Sequence, residues 1–173
     1  VGQVYPIVEP NLIEELQKKA FPVDLEKIRK EHETYQPSSL VKLPKAKANK
    51  SFQVDMRHTL DHDITNVQGN ILYKKGFTFN PMEYANFKGG LVVIDGSDVK
   101  QVEWFRSTPY FGNKQAILLV TDGYATQLAK NMNRPVFFLT EEIQKRLRLN
   151  SVPSIIVPAG LKLMVREVKL EES

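Results

Sequence analysis

Short, uninterrupted apolar runs alternate with helical patterns over the second half of the chain. The apolar runs lie at residues 91–94, 116–120, 135–139 and 155–157. Runs of this length are typical of strands that are buried on both faces. Between them, apolar side chains recur at helical spacing in residues 98–106, 124–132 and 140–148. The alternation predicts an α/β fold in which helices flank a mixed sheet.

Polar residues mark the ends of the predicted helices. Ser97 is predicted to cap the first helix and Thr140 the third. Glu141 and Glu142 fill the first turn of the third helix, and Arg146 and Arg148 lie in its last turn, so each charge is of the sign that the helix dipole favours.

The C-terminal tail carries a strand pattern. Leu161, Leu163 and Val165 alternate with other residues, as one face of a strand does. A turn at residues 158–160 would fold this strand back on the apolar run before it. We therefore predict a terminal hairpin.

Pro153 opens the last apolar run directly after a helix. Thioredoxin-like proteins keep a cis peptide bond at such a proline, a conformation that is essentially confined to X-Pro bonds. We therefore predict a thioredoxin-like core with a cis Val152–Pro153 bond. Gly96, which ends the first strand, and Gly123, which follows the second, are predicted to be structural residues, as Pro153 is.

The chain contains no cysteine. We place the strand–helix junction that carries Cys-x-x-Cys in redox relatives at residues 121–127. A thiolate is the nucleophile of disulfide exchange, so thiol oxidoreductase activity is excluded. What remains of the predicted core is its shape, including a groove beside the proline turn that can bind a peptide or a partner.

The first half of the chain is predicted to be less compact. Residues 1–51 read as a helical arm and linker, residues 52–90 as a small β element and residues 91–173 as the thioredoxin-like domain. Leu12, Ile13 and Leu16 form the apolar stripe of a first helix, and a second, more charged helix covers residues 24–33.

Residues 35–51 are rich in proline, serine and lysine. They are either a basic patch for an acidic partner or an extended, solvated linker, and the linker is the preferred interpretation.

Two histidines, His58 and His62, stand near Asp61 and Asp63 in the predicted β element. Imidazoles four residues apart on a helix would suit zinc, but this stretch reads as loop and strand. We therefore expect solvated surface histidines, no metal and no cofactor. Elsewhere the chain shows neither a nucleophile–base pair nor a phosphate loop, which predicts a protein that is not an enzyme and has no small-molecule substrate.

Composition narrows the class of partner. The chain has 173 residues, 42% of them hydrophobic, and a net charge of +4 that is spread along the sequence. Because no dense basic stripe forms, nucleic-acid binding is not expected. No apolar run approaches the ~20 residues of a membrane span. A start at Val1 suggests a processed chain.

Several motifs resemble the TraW family, periplasmic assembly proteins of F-type conjugative type IV secretion systems. The motifs are Tyr5-Pro6-Ile7-x-Glu9-Pro10, Lys75-Gly76-x-x-x-Asn80-Pro81, Ile94-Asp95-Gly96-x-Asp98-x-x-Gln101-Val102 followed by Trp104, Arg134-Pro135-Val136-Phe137-Phe138 and Val152-Pro153. They span nearly the whole length in the expected order. Residues 35–50 and 58–62 match no motif of the family.

The resemblance implies a protein exported to the periplasm that is needed for conjugative pilus assembly and DNA transfer and has no catalytic residues. It also implies binding to the pilin-assembly protein TrbC, itself thioredoxin-like, and to other secretion components. A second interpretation is a thioredoxin-fold chaperone or peptide-binding protein without redox activity.

Candidate partner-binding residues lie mainly in the N-terminal arm. They are Tyr5, Pro6, Ile7, Leu12, Ile13, Leu16 and, outside the arm, Trp104. The arm either docks on the partner together with the β element or packs on its own core, and both interpretations stay open. For Trp104, packing is the commoner role of such a residue, although tryptophan is enriched in interface hot spots.

Overall fold

The computed structural model describes residues 24–84 and 87–171. Contacts between Cα atoms divide the chain into two units, Val1–His32 and Glu33–Ser173. The predicted first helix and its apolar stripe lie outside the described residues. The predicted second helix is confirmed as α1 (Leu25–Glu33), whose first turn is capped by the Asp24 carboxylate.

Ten strands form within the described residues. They are β1 (Lys50–Asp55), β2 (His58–Thr59), β3 (Ile64–Thr65), β4 (Ile71–Tyr73), β5 (Thr78–Phe79), β6 (Leu91–Ile94), β7 (Ile117–Val120), β8 (Val136–Phe138), β9 (Ser154–Ala159) and β10 (Lys162–Glu167). Six of them make one sheet in the order β1-β10-β9-β6-β7-β8.

This sheet is mixed, as predicted. β6, β7 and β8 run parallel, whereas β9 is antiparallel to β6 and to β10, and β1 is antiparallel to β10. The terminal hairpin is confirmed as β9–β10, and the Val152–Pro153 peptide bond is cis. Because β6 and β9 are neighbours, the turn before β9 lies beside the end of β6.

Four further helices connect the strands. They are α2 (Val99–Ser107), α3 (Pro109–Gly112), α4 (Ala125–Met132) and α5 (Glu141–Leu147). A 3₁₀ turn, Pro81–Glu83, precedes β6. The predicted cap of α5 is confirmed, since Thr140 Oγ1 accepts a hydrogen bond from the Ile143 N–H. The predicted cap of α2 is wrong by one residue: Asp98, not Ser97, accepts from the Lys100 N–H.

The core has two apolar clusters, one on each face of the sheet. All four residues of β6 are buried, and successive strand side chains point to opposite faces. Leu91 and Val93 accordingly pack with Leu147 of α5. Val92 and Ile94 pack with Phe105 of α2. Burial on both faces explains the uninterrupted apolar run that predicted this strand.

Residues 58–79 form a two-stranded arm. β2 pairs with β5 and β3 pairs with β4, so the chain runs out to a turn and back. The arm is fixed at its base, where Asn80 Nδ2 donates to the Leu161 carbonyl (2.9 Å) and Arg146 donates to the Met56 carbonyl (2.6 Å). We call residues 58–79 the hairpin arm.

The predicted domain boundaries after residues 51 and 90 stay a prediction. β1, which spans the first of them, belongs to the six-stranded sheet through its pairing with β10. Within the described residues no helix has the length and apolar character needed to cross a membrane.

Candidate functional site at the strand ends

Two glycine loops meet at the carboxyl ends of β6 and β7. The Gly96 N–H donates to the Asp122 carbonyl (3.1 Å), and a Cβ at Gly96 would lie 2.6 Å from that oxygen. Gly123 has φ +89°, and a Cβ there would lie 2.7 Å from the Gly96 carbonyl carbon. Each loop therefore needs a residue without a side chain. The structural roles assigned to both glycines stay predictions, and these distances motivate their test.

The first turn of α2 holds a carboxylate beside Pro153. Gln101 is 1% exposed, and its Oε1 accepts from the Asp95 N–H (2.9 Å) while its Nε2 donates to Asp98 Oδ2 (3.3 Å). Asp98, Gln101, Val152 and Pro153 line one open groove. A buried amide thus fixes the carboxylate that faces this groove.

The predicted position of the groove was wrong in one respect. The sequence placed the junction beside the proline at residues 121–127, after β7. In the structure the groove that contains Pro153 is lined by residues 98–101, after β6. The reason is topological: β9, which Pro153 precedes, pairs with β6 and not with β7.

A segment of the chain itself crosses these strand ends. We call residues 33–49 the strap. The Val152 N–H donates to the Pro44 carbonyl (2.9 Å), and the Ala46 N–H donates to the Val152 carbonyl (2.8 Å). These two bonds make an isolated parallel bridge between Lys45 and Val152. Both backbone polar groups of Val152 are therefore used by the strap.

Two lysines of the strap meet the carboxylates at the strand ends. Lys45 Nζ lies 2.8 Å from Asp98 Oδ2, and Lys42 Nζ lies 2.9 Å from Asp122 Oδ2. Burial opposes the ionised form of Asp98, but hydrogen bonds from Lys45 and the Lys100 N–H outweigh it and lower the pKa of this carboxyl. The hydrogen bond from Lys42 lowers the pKa of Asp122, and the same bond raises the pKa of Lys42.

The start of the strap is fixed in the same way. Gln36 Nε2 donates to Asp122 Oδ1 (3.2 Å) and to the Gly123 carbonyl (3.0 Å). The Tyr35 ring meets the Phe138 ring edge-on, with centroids 6.5 Å apart. Most of residues 35–51 are exposed, but Gln36, Lys42 and Lys45 have partners on the rest of the fold, so the segment is not a free linker along its whole length. Composition alone could not show that the lysines have carboxylate partners far along the chain.

The predicted partner-binding residues divide into two groups. Tyr5, Pro6, Ile7, Leu12, Ile13 and Leu16 lie outside the described residues. Trp104 is half-buried and packs against the cluster around Phe105. Its partner role stays a prediction.

Sequence reasoning missed an exposed apolar surface on the hairpin arm. Tyr73 and Phe77 stack at 4.9 Å between ring centroids, and Phe77 lies 6.4 Å from Phe79. Further exposed apolar side chains of the arm are Ile64, Val67, Ile71 and Leu72. The sequence of residues 58–79 did contain an indication of this surface: aromatic and β-branched residues occur in a segment that is too short to bury both of its faces.

The two histidines of the arm are exposed, as predicted. His58 packs edge-on against Phe79, and His62 Nδ1 bonds the Asp61 carboxylate and thereby lowers the pKa of Asp61. In the part of the chain that the structure describes, no three metal-ligating side chains lie together.

These features define a class of protein: a cysteine-free α/β protein whose mixed sheet has its strand ends covered by the chain's own strap. The chain is 24% identical to Protein TraW of Escherichia coli (strain K12) over 185 aligned residues, which cover 99% of this chain and 87% of that protein. This similarity along nearly the whole chain agrees with the resemblance to the TraW family that the motifs predicted. Neither a family model nor a solved structure matches it.

Proposed function

We propose that this protein is a non-catalytic assembly protein of an F-type conjugative type IV secretion system, acting in the periplasm and needed for pilus assembly and DNA transfer. The observation that carries the proposal is the similarity to TraW along 99% of the chain. The absence of cysteine agrees with a role in which binding, not thiol chemistry, is the activity.

We also propose that the core is thioredoxin-like. The order β10-β9-β6-β7, with β9 antiparallel to β6 and a helix after β6, supports this assignment. The site where redox relatives carry thiols then falls at residues 95–98, and in this chain it holds Asp95, Gly96, Ser97 and Asp98. Such a site supplies hydrogen bonds and charge but no nucleophilic sulfur.

The partner in this proposal is a TrbC-like pilin-assembly protein, and the hairpin arm supplies part of the contact. A two-stranded ribbon is marginally stable in water on its own, and contiguous exposed apolar groups typically mark interaction sites. The proposal also includes a separate contribution of residues 1–23 to partner binding, as the sequence predicts.

The test is binding between the purified chain and the TrbC-like protein of the same transfer system, measured by calorimetry. Phe77→Ser is expected to weaken binding at least tenfold because it removes an exposed aromatic from the arm. Phe137→Ser, which removes an exposed aromatic from β8, is the matched control. Equal affinity of the two variants would remove the arm from the interface, and no binding by the unmodified chain would overturn the proposed partner.

Deletion of residues 1–23 tests whether the N-terminal arm contributes to partner binding. If the N-terminal arm docks on the partner, the shortened chain binds at least tenfold more weakly than the full chain. If affinity is unchanged, the N-terminal arm does not take part in binding, and the alternative that it packs on the chain's own core is favoured.

The alternative function, a chaperone or peptide-binding protein without redox activity, is favoured by one observation. The groove beside Pro153 is lined by an extended segment that bonds the backbone of Val152. Suppression of aggregation of an unfolded test protein, without any TrbC-like partner present, would support this function over that of a dedicated assembly protein.

A further inference from the structure

The strap pairs with Val152 through backbone hydrogen bonds, as an added strand pairs with the edge strand of a sheet. Its two hydrogen bonds, 2.9 Å and 2.8 Å, have the Val152 N–H as donor in one and the Val152 carbonyl as acceptor in the other. Val152 is fully buried, so these groups would be costly to leave without partners. The site therefore requires an extended backbone at this position, whichever chain supplies it.

The side chains around the bridge specify what kind of extended chain fits. Asp98 faces the residue at position 45, and Gln101 holds its carboxylate in place. The next residue, Ala46, is buried, so a small apolar side chain is accepted there. A proline precedes the lysine and needs no hydrogen-bond acceptor for its nitrogen. The pattern is an extended peptide with a basic residue followed by a small one.

The end of the strap that contacts Val152 is held by few contacts. The bridge to Val152 is isolated and does not continue into a ladder. The side chain of Lys45 is 69% exposed, so its ion pair contributes little. Val41 and Leu43 pack against the core cluster, but from residue 44 to residue 49 only Ala46 is buried. A segment with so few buried apolar contacts belongs to the low-stability end of a structure, so displacement is expected to begin there.

Beyond the strap, the groove is open. It has a volume of about 1070 Å³ and continues to Lys47, Lys100 and residues 169–171. An extended peptide of several residues can therefore enter alongside the strap before the strap leaves.

We propose that residues 44–46 fill a binding site for an extended, lysine-containing peptide, and that such a peptide displaces the strap. The displacing peptide pairs in parallel with Val152, places its lysine on Asp98 and buries a small residue where Ala46 lies. This inference goes beyond the proposed function and does not depend on the identity of the partner.

The probe is a fluorescent synthetic peptide with the sequence of residues 40–49, titrated into the full chain. The tethered strap competes at the millimolar effective concentration that is typical of a short connection. The Lys42→Ala/Lys45→Ala variant weakens this internal competitor and is expected to bind the peptide about threefold more tightly than the unmodified chain, the size of effect that exposed ion pairs allow. A peptide in which Lys45 is replaced by glutamate is expected to bind at least tenfold more weakly.

Controls separate displacement from general attraction. Arg57→Ala removes an exposed ion pair with Asp55 at the base of the hairpin arm, outside the residues that line the groove, and should leave peptide affinity unchanged. A scrambled peptide of the same charge should not bind. Equal affinity of the strap variant and the unmodified chain, or binding of the scrambled peptide, would overturn the proposal.

Hydrogen exchange on the unmodified chain provides a second test that needs no variant. At saturating peptide the Ala46 amide is expected to lose its protection, because the strap has left. The Val152 amide is expected to keep its protection, because the peptide carbonyl replaces that of Pro44. Unchanged protection of Ala46 at saturation would overturn the proposal, and so would loss of protection at Val152.

Discussion

The strand ends of β6 and β7 differ from the hairpin arm in whether their side chains have partners within the chain. At the carboxyl ends of β6 and β7, carboxylates and backbone groups have partners in the strap, so that Asp98 and Asp122 each meet a lysine. Along the hairpin arm, apolar side chains such as Leu72 and Phe77 face solvent. The polar groups of the first region are paired within the chain, whereas the exposed apolar side chains of the second region are suited to contact with another molecule.

Because of this difference, we expect substitutions in the two regions to affect different properties, stability at the strand ends and partner binding on the hairpin arm. Substitutions at the strand ends disturb loops that touch backbone to backbone, so they should lower the free energy of unfolding. Substitutions on the arm remove side chains with few contacts, so they should change stability little. Paired variants, one in each region, test this contrast.

The largest effect is expected for alanine at Gly123. Gly69 in the arm is a matched control, since it has φ +84° against +89° but no atom within 4 Å of the position that a Cβ would take. Gly69→Ala should lower the free energy of unfolding by about 1–2 kcal/mol, the penalty of the left-handed conformation alone. Gly123→Ala should lower it by about 2 kcal/mol more, because its Cβ would meet the Gly96 backbone. Urea unfolding monitored by circular dichroism measures both, and equal costs would contradict the close contact of the loops.

A half-buried cation gives the next effect. Arg134 donates to the carbonyls of Tyr110, Phe111 and Ala116, and burial lowers its pKa. Arg134→Met should lower the free energy of unfolding by about 3 kcal/mol, since it leaves three partly buried carbonyls without these donors. Arg57→Met, at the base of the hairpin arm, is the control and should lower it much less, because its ion pair with Asp55 is exposed. Comparable losses would show that the arm is as tightly coupled to stability as the core.

A smaller effect is expected at Asp98, which caps α2 and pairs with Lys45. Asp98→Ala should lower the free energy of unfolding by about 1–2 kcal/mol, the usual cost of losing a helix cap. Asp61→Ala in the arm removes an exposed carboxylate bonded to His62 and should change stability by less than about 0.5 kcal/mol. Thermal unfolding at pH 7 distinguishes the two, and equal shifts in Tm would contradict the contrast.

The ion pairs of the strap predict a dependence on pH. The pKa values of Asp98 and Asp122 are lowered in the folded chain, so their stabilisation is present above the unfolded value near 3.8 and is lost as pH falls through the folded values. Lys42→Ala/Lys45→Ala should therefore be less stable than the unmodified chain at pH 7, and the difference should be small because both ammonium groups are largely exposed. The difference should shrink below pH ~4, and a constant difference down to pH ~2 would rule out a charge-based role.

The smallest effect on stability is expected in the arm. Phe77→Ser should change the free energy of unfolding by less than about 1 kcal/mol, because the ring is exposed and its contacts are with neighbouring arm residues. A loss above about 3 kcal/mol, of the size seen for buried aromatics, would show that the arm is part of the folding core.

Regular elements could be predicted from the sequence because their signals are local. The four apolar runs became β6, β7, β8 and β9, and the alternation after residue 160 became β10. Thr140 marked the start of α5 for the same reason. Even here one local choice was wrong, since Ser97 and Asp98 are both good caps and only the backbone geometry selects Asp98.

The candidate site could not be predicted in the same way. Lys45 and Asp98 are far apart in sequence, and so are Pro44 and Val152. Nothing in a run of lysines and prolines tells a linker from a segment that has partners. The groove was assigned to the wrong junction because strand order cannot be read from periodicity: the pairing of β9 with β6 decides it.

The strands, the helices, the terminal hairpin and the exclusion of thiol chemistry all follow from side-chain pattern and residue identity, which are properties of the sequence. Three further facts are visible only in the folded chain: residues 33–49 lie across the strand ends, Asp98 and Pro153 line one groove, and the hairpin arm leaves Tyr73 and Phe77 exposed. These facts depend on contacts between distant parts of the chain, and such contacts arise from how the sheet is ordered and not from any local preference.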